Sequence, residues 1–237
     1  MDERLKSIVD NLDEITVGLD DTFQFHCNMC GKCCINREDI LLNPKDIYNL
    51  AKELHITTRD FFTTYCETYI GDDSRFPIVR IQPRGAVKRC PLLKDRKCSV
   101  HKAKPTVCAM FPLGRCIRMD KNSLGDITTQ DVRYILDPPD CGDKSETHTV
   151  REWLQSFNLP LEDEFFVAWN RCLMKLSPQF KKLEKMRVNM NPIWQGSMVL
   201  LYLLYDTEQD FMPQFESHVD KAMEMLDTLV KEVQNGN

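Results

Sequence analysis

Four of the eleven cysteines in this 237-residue chain fall within eight positions, Cys27-Asn-Met-Cys30-Gly-Lys-Cys33-Cys34. Two-residue spacing lets a turn present two sulfurs to one ion, because the intervening backbone curls and directs its N–H groups toward the sulfur. Repeated, the spacing puts three thiolates on one loop, as in ferredoxin-type cluster loops. Gly31 suits the tight turn, since glycine adopts a positive φ without steric cost. Cys33 and Cys34 are chain neighbours whose side chains are expected to diverge, one serving this site and the other a second. Further on stand Cys90-Pro-Leu-Leu, Cys98-Ser-Val-His101 and Pro105-Thr-Val-Cys108-Ala-Met-Phe-Pro112. These single thiolates, at spacings of eight and ten, supply remaining ligands rather than a second knuckle. Pro105 suits the start of a short helix carrying Cys108 about one turn in.

The compartment decides what such thiols do. The N-terminal stretch MDERLKSIVDNLDEI is acidic and mixed, with no basic segment leading into an apolar one, so a secretory signal is not expected. The cysteine count is odd, and clustered thiols in a reducing cytoplasm read as metal ligands or catalytic groups rather than disulfides. The longest apolar run, Met198 to Tyr205, has eight residues, against the ~20 that cross a bilayer, so no membrane association is expected. A hydrophobic fraction of 42%, a charged fraction of 28% and a net charge of −5 are those of an ordinary globular protein and exclude disorder as the default.

Structural zinc is usually held by two paired Cys-x2-Cys knuckles. One dense loop plus scattered single thiolates favours an iron–sulfur cluster, of the 4Fe–4S kind, with zinc the competing metal. Eight thiolates suffice for two four-coordinate sites, or for one site with spare thiols, and the spacing leaves both open. His101 and His26 read as surface or packing histidines ahead of ligands. Residues 80–118 hold eleven Lys/Arg against one acid, Asp95. Cations beside thiols lower their pKa and stabilise the thiolate. The rival reading of that segment is a patch for nucleic acid or another acidic partner. Its single aromatic, Phe111, favours the local electrostatic role, with a protein or nucleic-acid partner left open.

The surrounding elements are expected to give an α+β, mostly α-helical protein. Asn43 caps a helix with Pro44 at its first position and Ile47, Leu50, Ala51 and Leu54 on one face. Thr57 opens a second helix through FFTTYCETY, with Cys66 on its apolar side beside Phe62 and Tyr69. Residues 76–82 and 127–136 are strand candidates. Thr149 with Glu152 forms a capping box ahead of Trp153, Leu154 and Phe157. From Leu161 onward the pattern is helical, with a stripe of Phe165, Trp169, Cys172, Leu173 and Leu176. An all-round apolar helix follows over Met198–Tyr205, and a last helix carries Phe215, Val219, Ala222, Leu226, Leu229/Val230 and Val233. Cys66 and Cys172 read as core packing. The expected organisation is an irregular cysteine-rich metal-binding region with short strands over 1–145 and a helical region over 146–237, packed as one domain or two.

These residues resemble the YkgJ-type cysteine-cluster family (CxxCxxCC), a zinc- or iron-chelating domain. Its pattern runs C-x2-C-x2-CC, then C-P-x-L, then C-S with Val or Ile and His or Tyr, then Arg or Lys-Pro-x2-Cys-x2-Phe-Pro. It matches from Cys27 through Pro112, and the carry-over falls on Cys27, Cys30, Cys33, Cys34, Cys90, Cys98 and Cys108. The family's eighth cysteine lies further on and falls on Cys141, followed by Gly142, ahead of Cys116. Lys104 stands where arginine is commoner. The resemblance covers roughly residues 25–145. One relative is the flagellin lysine methylase, which implies S-adenosylmethionine chemistry.

Three functions follow: an iron–sulfur protein with a redox or cluster-dependent role, a zinc-stabilised protein-interaction module, or a protein-lysine methyltransferase-like enzyme. All nine glycines are isolated, so there is no G-x-G-x-x-G and no phosphate loop for a nucleotide. No catalytic constellation is identifiable. Arg37-Glu38-Asp39 reads as a solvated turn, with lining a pocket the alternative.

Overall fold

The computed structural model describes residues 10–35, 39–118, 127–136 and 141–235. Arg37 and Glu38 lie outside them. The protein is α+β, with helices dominant toward the C-terminus, as the patterning predicts. In chain order the elements are α1 (Leu12–Ile15), β1 (Thr16–Val17), β2 (Thr22–His26), β3 (Leu41–Leu42), α2 (Pro44–Glu53), α3 (Thr58–Tyr65), β4 (Cys66–Ile70) and β5 (Pro77–Ile81). There follow β6 (Leu93–Lys94), β7 (Lys97–Cys98), α4 (Thr106–Met110), β8 (Leu113–Ile117), β9 (Val132–Leu136), β10 (Asp143–Thr149) and α5 (Val150–Ser156). The chain ends in α6 (Glu164–Lys185), α7 (Met190–Met198) and α8 (Phe211–Asn235). Two compact units emerge: residues 1–37 with 83–167, and residues 38–82 with 168–237.

The first unit is built from short antiparallel ladders. Its sheets run β1-β9-β8, β10-β2 and β6-β7. Phe23 and Phe25 alternate inward along β2 and join Met110, Leu113, Tyr134, Val150, Trp153 and Leu154 in one apolar cluster. Trp153 meets both phenylalanines edge-on and donates its indole N–H to the Met110 carbonyl (3.1 Å), so its one polar atom is satisfied. The capping box at Thr149 and Glu152 forms as the sequence predicts. Arg115 on β8 forms a buried ion pair with Asp163 (2.7 Å) and lies 3.9 Å from the Phe166 ring centroid.

The second unit holds the sheet β3-β5-β4 and the longer helices. Asn43 and Asp46 cap α2 reciprocally with Pro44 at its start, and Ile47, Leu50 and Ala51 are fully buried. The second helix ends earlier than its pattern predicts. α3 stops at Tyr65, and Cys66–Ile70 is strand, because β5 offers a full ladder from Cys66↔Ile81 to Ile70↔Pro77. Pairing overrides the weak helix preference of the β-branched and aromatic residues there. Residues 199–203 form a π-helical turn whose Leu201, Tyr202 and Leu203 are buried, while Leu204 is 44% exposed. Thr58 Oγ1 donates to the Leu203 carbonyl (2.7 Å) and Tyr48 to the Gln209 carbonyl (2.7 Å), tying this turn to α2 and α3. No helix among the described residues is long and apolar enough to cross a membrane.

Candidate metal centre

Strand β2 delivers the chain to Cys27 directly from His26. Met29 (φ 51°) and Gly31 (φ 74°) then turn it tightly enough for Lys32–Cys34 to close one 3-10 turn, with the Cys34 N–H donating to the Gly31 carbonyl (3.0 Å). Inside that turn the Cys33 and Cys34 sulfurs lie 3.8 Å apart. They do not diverge: three residues per turn leave neighbours close enough for side-chain rotation to bring the sulfurs together.

The second cysteine segment is fastened onto this loop. The Cys90 N–H donates to the Cys34 carbonyl (2.8 Å), and Gly31 packs beneath the β6–β7 hairpin, where a Cβ would stand 3.7 Å from Leu93 and 3.9 Å from the Arg96 carbonyl oxygen. Within the hairpin Cys98 pairs with Leu93. The Cys90 sulfur receives the backbone N–H groups of Leu92 and Leu93, and the Cys98 sulfur that of Val100. Cys108 lies in α4, its N–H bonded to the Pro105 carbonyl (2.8 Å). Cys141 arrives at the entrance to β10, whose Asp143 pairs with His26.

Each itemised thiol of this group is raised above the ordinary value. Cys34 is raised by its contact with Cys33 first, then by burial, then by Cys33, Cys90 and Cys108 as neighbouring charges. Burial raises Cys90, the Leu92 and Leu93 N–H groups oppose it, and Cys98 and Cys33 add to it. Burial raises Cys98 against the Val100 N–H and the Lys104 charge. Cys141 is pushed up to about 11, by burial first and then by Cys33, Cys30 and Cys27, with Cys30 also within hydrogen-bonding reach. Two neighbourhoods result, Cys27/Cys30/Cys33/Cys141 and Cys34/Cys90/Cys98/Cys108, and they meet at the Cys33–Cys34 pair. Thiolates that oppose one another's ionisation are what a cation placed among them reverses, and the N–H groups aimed at sulfur favour the ionised form. The donor set, sulfur throughout, fits a thiophilic metal. Side chains as placed meet in pairs. Among the described residues no three Cys, His, Asp or Glu converge closely enough to hold one ion.

The remaining candidates lie elsewhere. Cys116 sits on β8 opposite Arg133, its thiol raised by burial and lowered by that guanidinium. Cys66 and Cys172 are buried in the second unit, where burial alone raises Cys66 and pushes Cys172 up to about 12. All eleven cysteines are free thiols. His101 stacks on Phe157, ring centroids 6.1 Å apart. His26 Nδ1 lies 2.8 Å from Glu146, whose other oxygen is 3.4 Å from His148 Nε2. Glu146 and His148 carry no sequence signal. The polar stretch Asp143–Thr149 becomes a strand only by pairing with β2, with a register slip between Asp143 and Thr147.

Residues 26–141 match the model of the CxxCxxCC family, described as "Putative zinc- or iron-chelating domain". Through this segment the chain belongs to the CxxCxxCC family. The matched segment begins beside Cys27 and ends on Cys141, so it contains both thiol neighbourhoods together with Cys116 and Cys66. Comparison with curated proteins and with solved structures gave no match. Binding of zinc or iron is the family-level property, and the metal is chosen by chemistry within these thiols.

Proposed function

We propose that Cys27, Cys30, Cys33, Cys34, Cys90, Cys98, Cys108 and Cys141 supply the thiolates for an iron–sulfur cluster, of the 4Fe–4S kind, in a cytoplasmic protein with a redox or cluster-dependent role. The observation that carries this reading is the spread of the thiols. They raise one another's pKa yet touch only in pairs, Cys33 with Cys34 and Cys30 with Cys141. A cluster several ångströms across draws thiolates from a wider shell than one zinc ion, whose sulfurs sit at about 2.3 Å. Such a cluster supplies one-electron chemistry, and N–H groups directed at its sulfurs tune the potential. The Leu92, Leu93 and Val100 N–H groups are placed for that work, and exposed Cys27 and Cys30 face solvent.

A second reading, two zinc ions each closed by four thiolates, is favoured by the division of the eight thiols into four and four. Metal and acid-labile sulfide analysis of protein purified without oxygen separates the two. Iron and sulfide in near-equal amounts, with visible absorption bleached by dithionite, is the expected result. Colourless protein holding zinc and no sulfide overturns it in favour of the second reading.

A further inference from the structure

The two short hairpins that bring Cys90 and Cys98 to the centre also expose a concentration of positive charge. Arg84 and Arg89 close the first hairpin by a pair of backbone hydrogen bonds (2.8 and 2.9 Å), with Gly85 in a positive-φ turn. Lys94, Arg96 and Lys97 crown the second, where Asp95 and Arg96 also take positive φ and turn the chain sharply. Lys102 follows, exposed, and Lys104 lies with its ammonium 4.9 Å from the Phe157 ring centroid. Over residues 84–104 the one acid is Asp95. The same face carries exposed apolar side chains: Val87 at the first hairpin tip (60% exposed), Met29 (52%) and Ile35 (39%). The Cys90–Cys34 hydrogen bond sets Arg89 beside Ile35, and the packing of Gly31 under Leu93 and Arg96 sets Met29 near the second hairpin.

We infer that this face, cationic hairpins with Val87, Met29 and Ile35 among them, docks an acidic protein that brings aliphatic side chains to the thiol centre. Exposed cations around an apolar middle fit the polar rim and apolar core of a protein–protein interface. The sign of the charge steers a negative partner toward it. A nucleic acid fits less well. The segment's single aromatic, Phe111, is turned edge-on against Phe25 inside the first unit and offers no stacking platform. The remainder of the chain is acidic and repels a long polyanion. Val87, Met29 and Ile35 would meet a phosphate backbone with nothing to pair. The surface is the same whichever metal the thiols hold.

The test uses metal-loaded full-length protein and two fluorescent probes of equal charge, a Glu/Leu peptide and a single-stranded oligonucleotide, titrated at ~50 and ~300 mM salt. The peptide is expected to bind more tightly than the oligonucleotide and to weaken about tenfold across that salt range. A triple variant, Lys94→Glu with Arg96→Glu and Lys97→Glu, is expected to lose peptide binding at least tenfold while keeping its metal. Val87→Ser is expected to lose about threefold with the salt dependence unchanged. Tighter oligonucleotide binding, or full peptide affinity in the triple variant, overturns the inference. Metal content is measured on every sample, so protein that binds the peptide but holds no metal counts against the metal-centre reading alone.

Discussion

The two units use the same residue type in opposite ways. In the second unit Cys66 and Cys172 lie among fully buried Phe61, Phe76, Phe180, Leu176 and Leu201, and no thiol faces another. Burial without a partner makes each an inert small hydrophobe. In the first unit the thiols are half-buried or exposed, lie beside one another, and receive backbone N–H groups. There the backbone is short strands, single turns and positive-φ residues, with an apolar cluster built largely from Phe23, Phe25 and Trp153. Burial and hydrogen-bond donors, rather than the sulfur itself, decide whether a cysteine packs or reacts. A region with limited core also has the most to gain from a metal.

The sharpest way to break this contrast is to exchange the roles. Cys30→Ser is expected to abolish metal binding and strip hydrogen-exchange protection from the first unit, since metal binding supplies on the order of 10 kcal/mol in metal-dependent small domains. Cys172→Ser is expected to keep full metal content. Equal metal content in the two variants would refute the division. Next in size, Phe180→Ala should cost the second unit about 3–5 kcal/mol with or without metal. Asp163→Ala, which strands the buried Arg115, should cost the first unit a similar ~3–5 kcal/mol. Denaturant titrations before and after chelation report both.

A smaller effect follows from the raised thiols. Cys141, Cys90 and Cys98 are protonated at neutral pH without metal, so binding must release their protons. Apparent affinity should therefore fall as pH falls, by about tenfold per unit for each proton displaced. A chelator competition run at two pH values measures the slope, and a flat profile would remove these thiols from the ligand set. The smallest expected change is Thr149→Ala, which deletes the cap of α5 and should cost about 1 kcal/mol without altering metal content.

Local signals were legible where local chemistry sets the structure. The caps at Asn43, Thr57 and Thr149 form as read, because each needs only side chains within three residues. The dense loop was legible for the same reason. Cys66 was misread as helical because its strand depends on β5, eleven or more residues away. β2 and β10 escaped for a stronger version of that cause: the partner of polar Asp143–Thr149 lies more than a hundred residues earlier. The neighbourhood of Cys141 depends on that pairing, as does the His26–Glu146–His148 arrangement, and spacing alone carries neither. Resemblance to a family pattern, not periodicity, pointed past Cys116 to Cys141.

Gly142 bears on whether this centre could be moved into another protein. Its φ is 77°, and a Cβ there would stand 2.6 Å from both the His26 carbonyl oxygen and the Phe25 ring. The last thiol of its neighbourhood can thus be delivered only where the backbone passes bare against the end of β2. A graft that copied the compact Cys27–Cys34 loop would leave this thiol behind. One that copied Cys141 onto a scaffold with any side chain at the next position would wedge the two strands apart. The transplantable object is a set of separate chain pieces, and its most restrictive member carries no side chain at all.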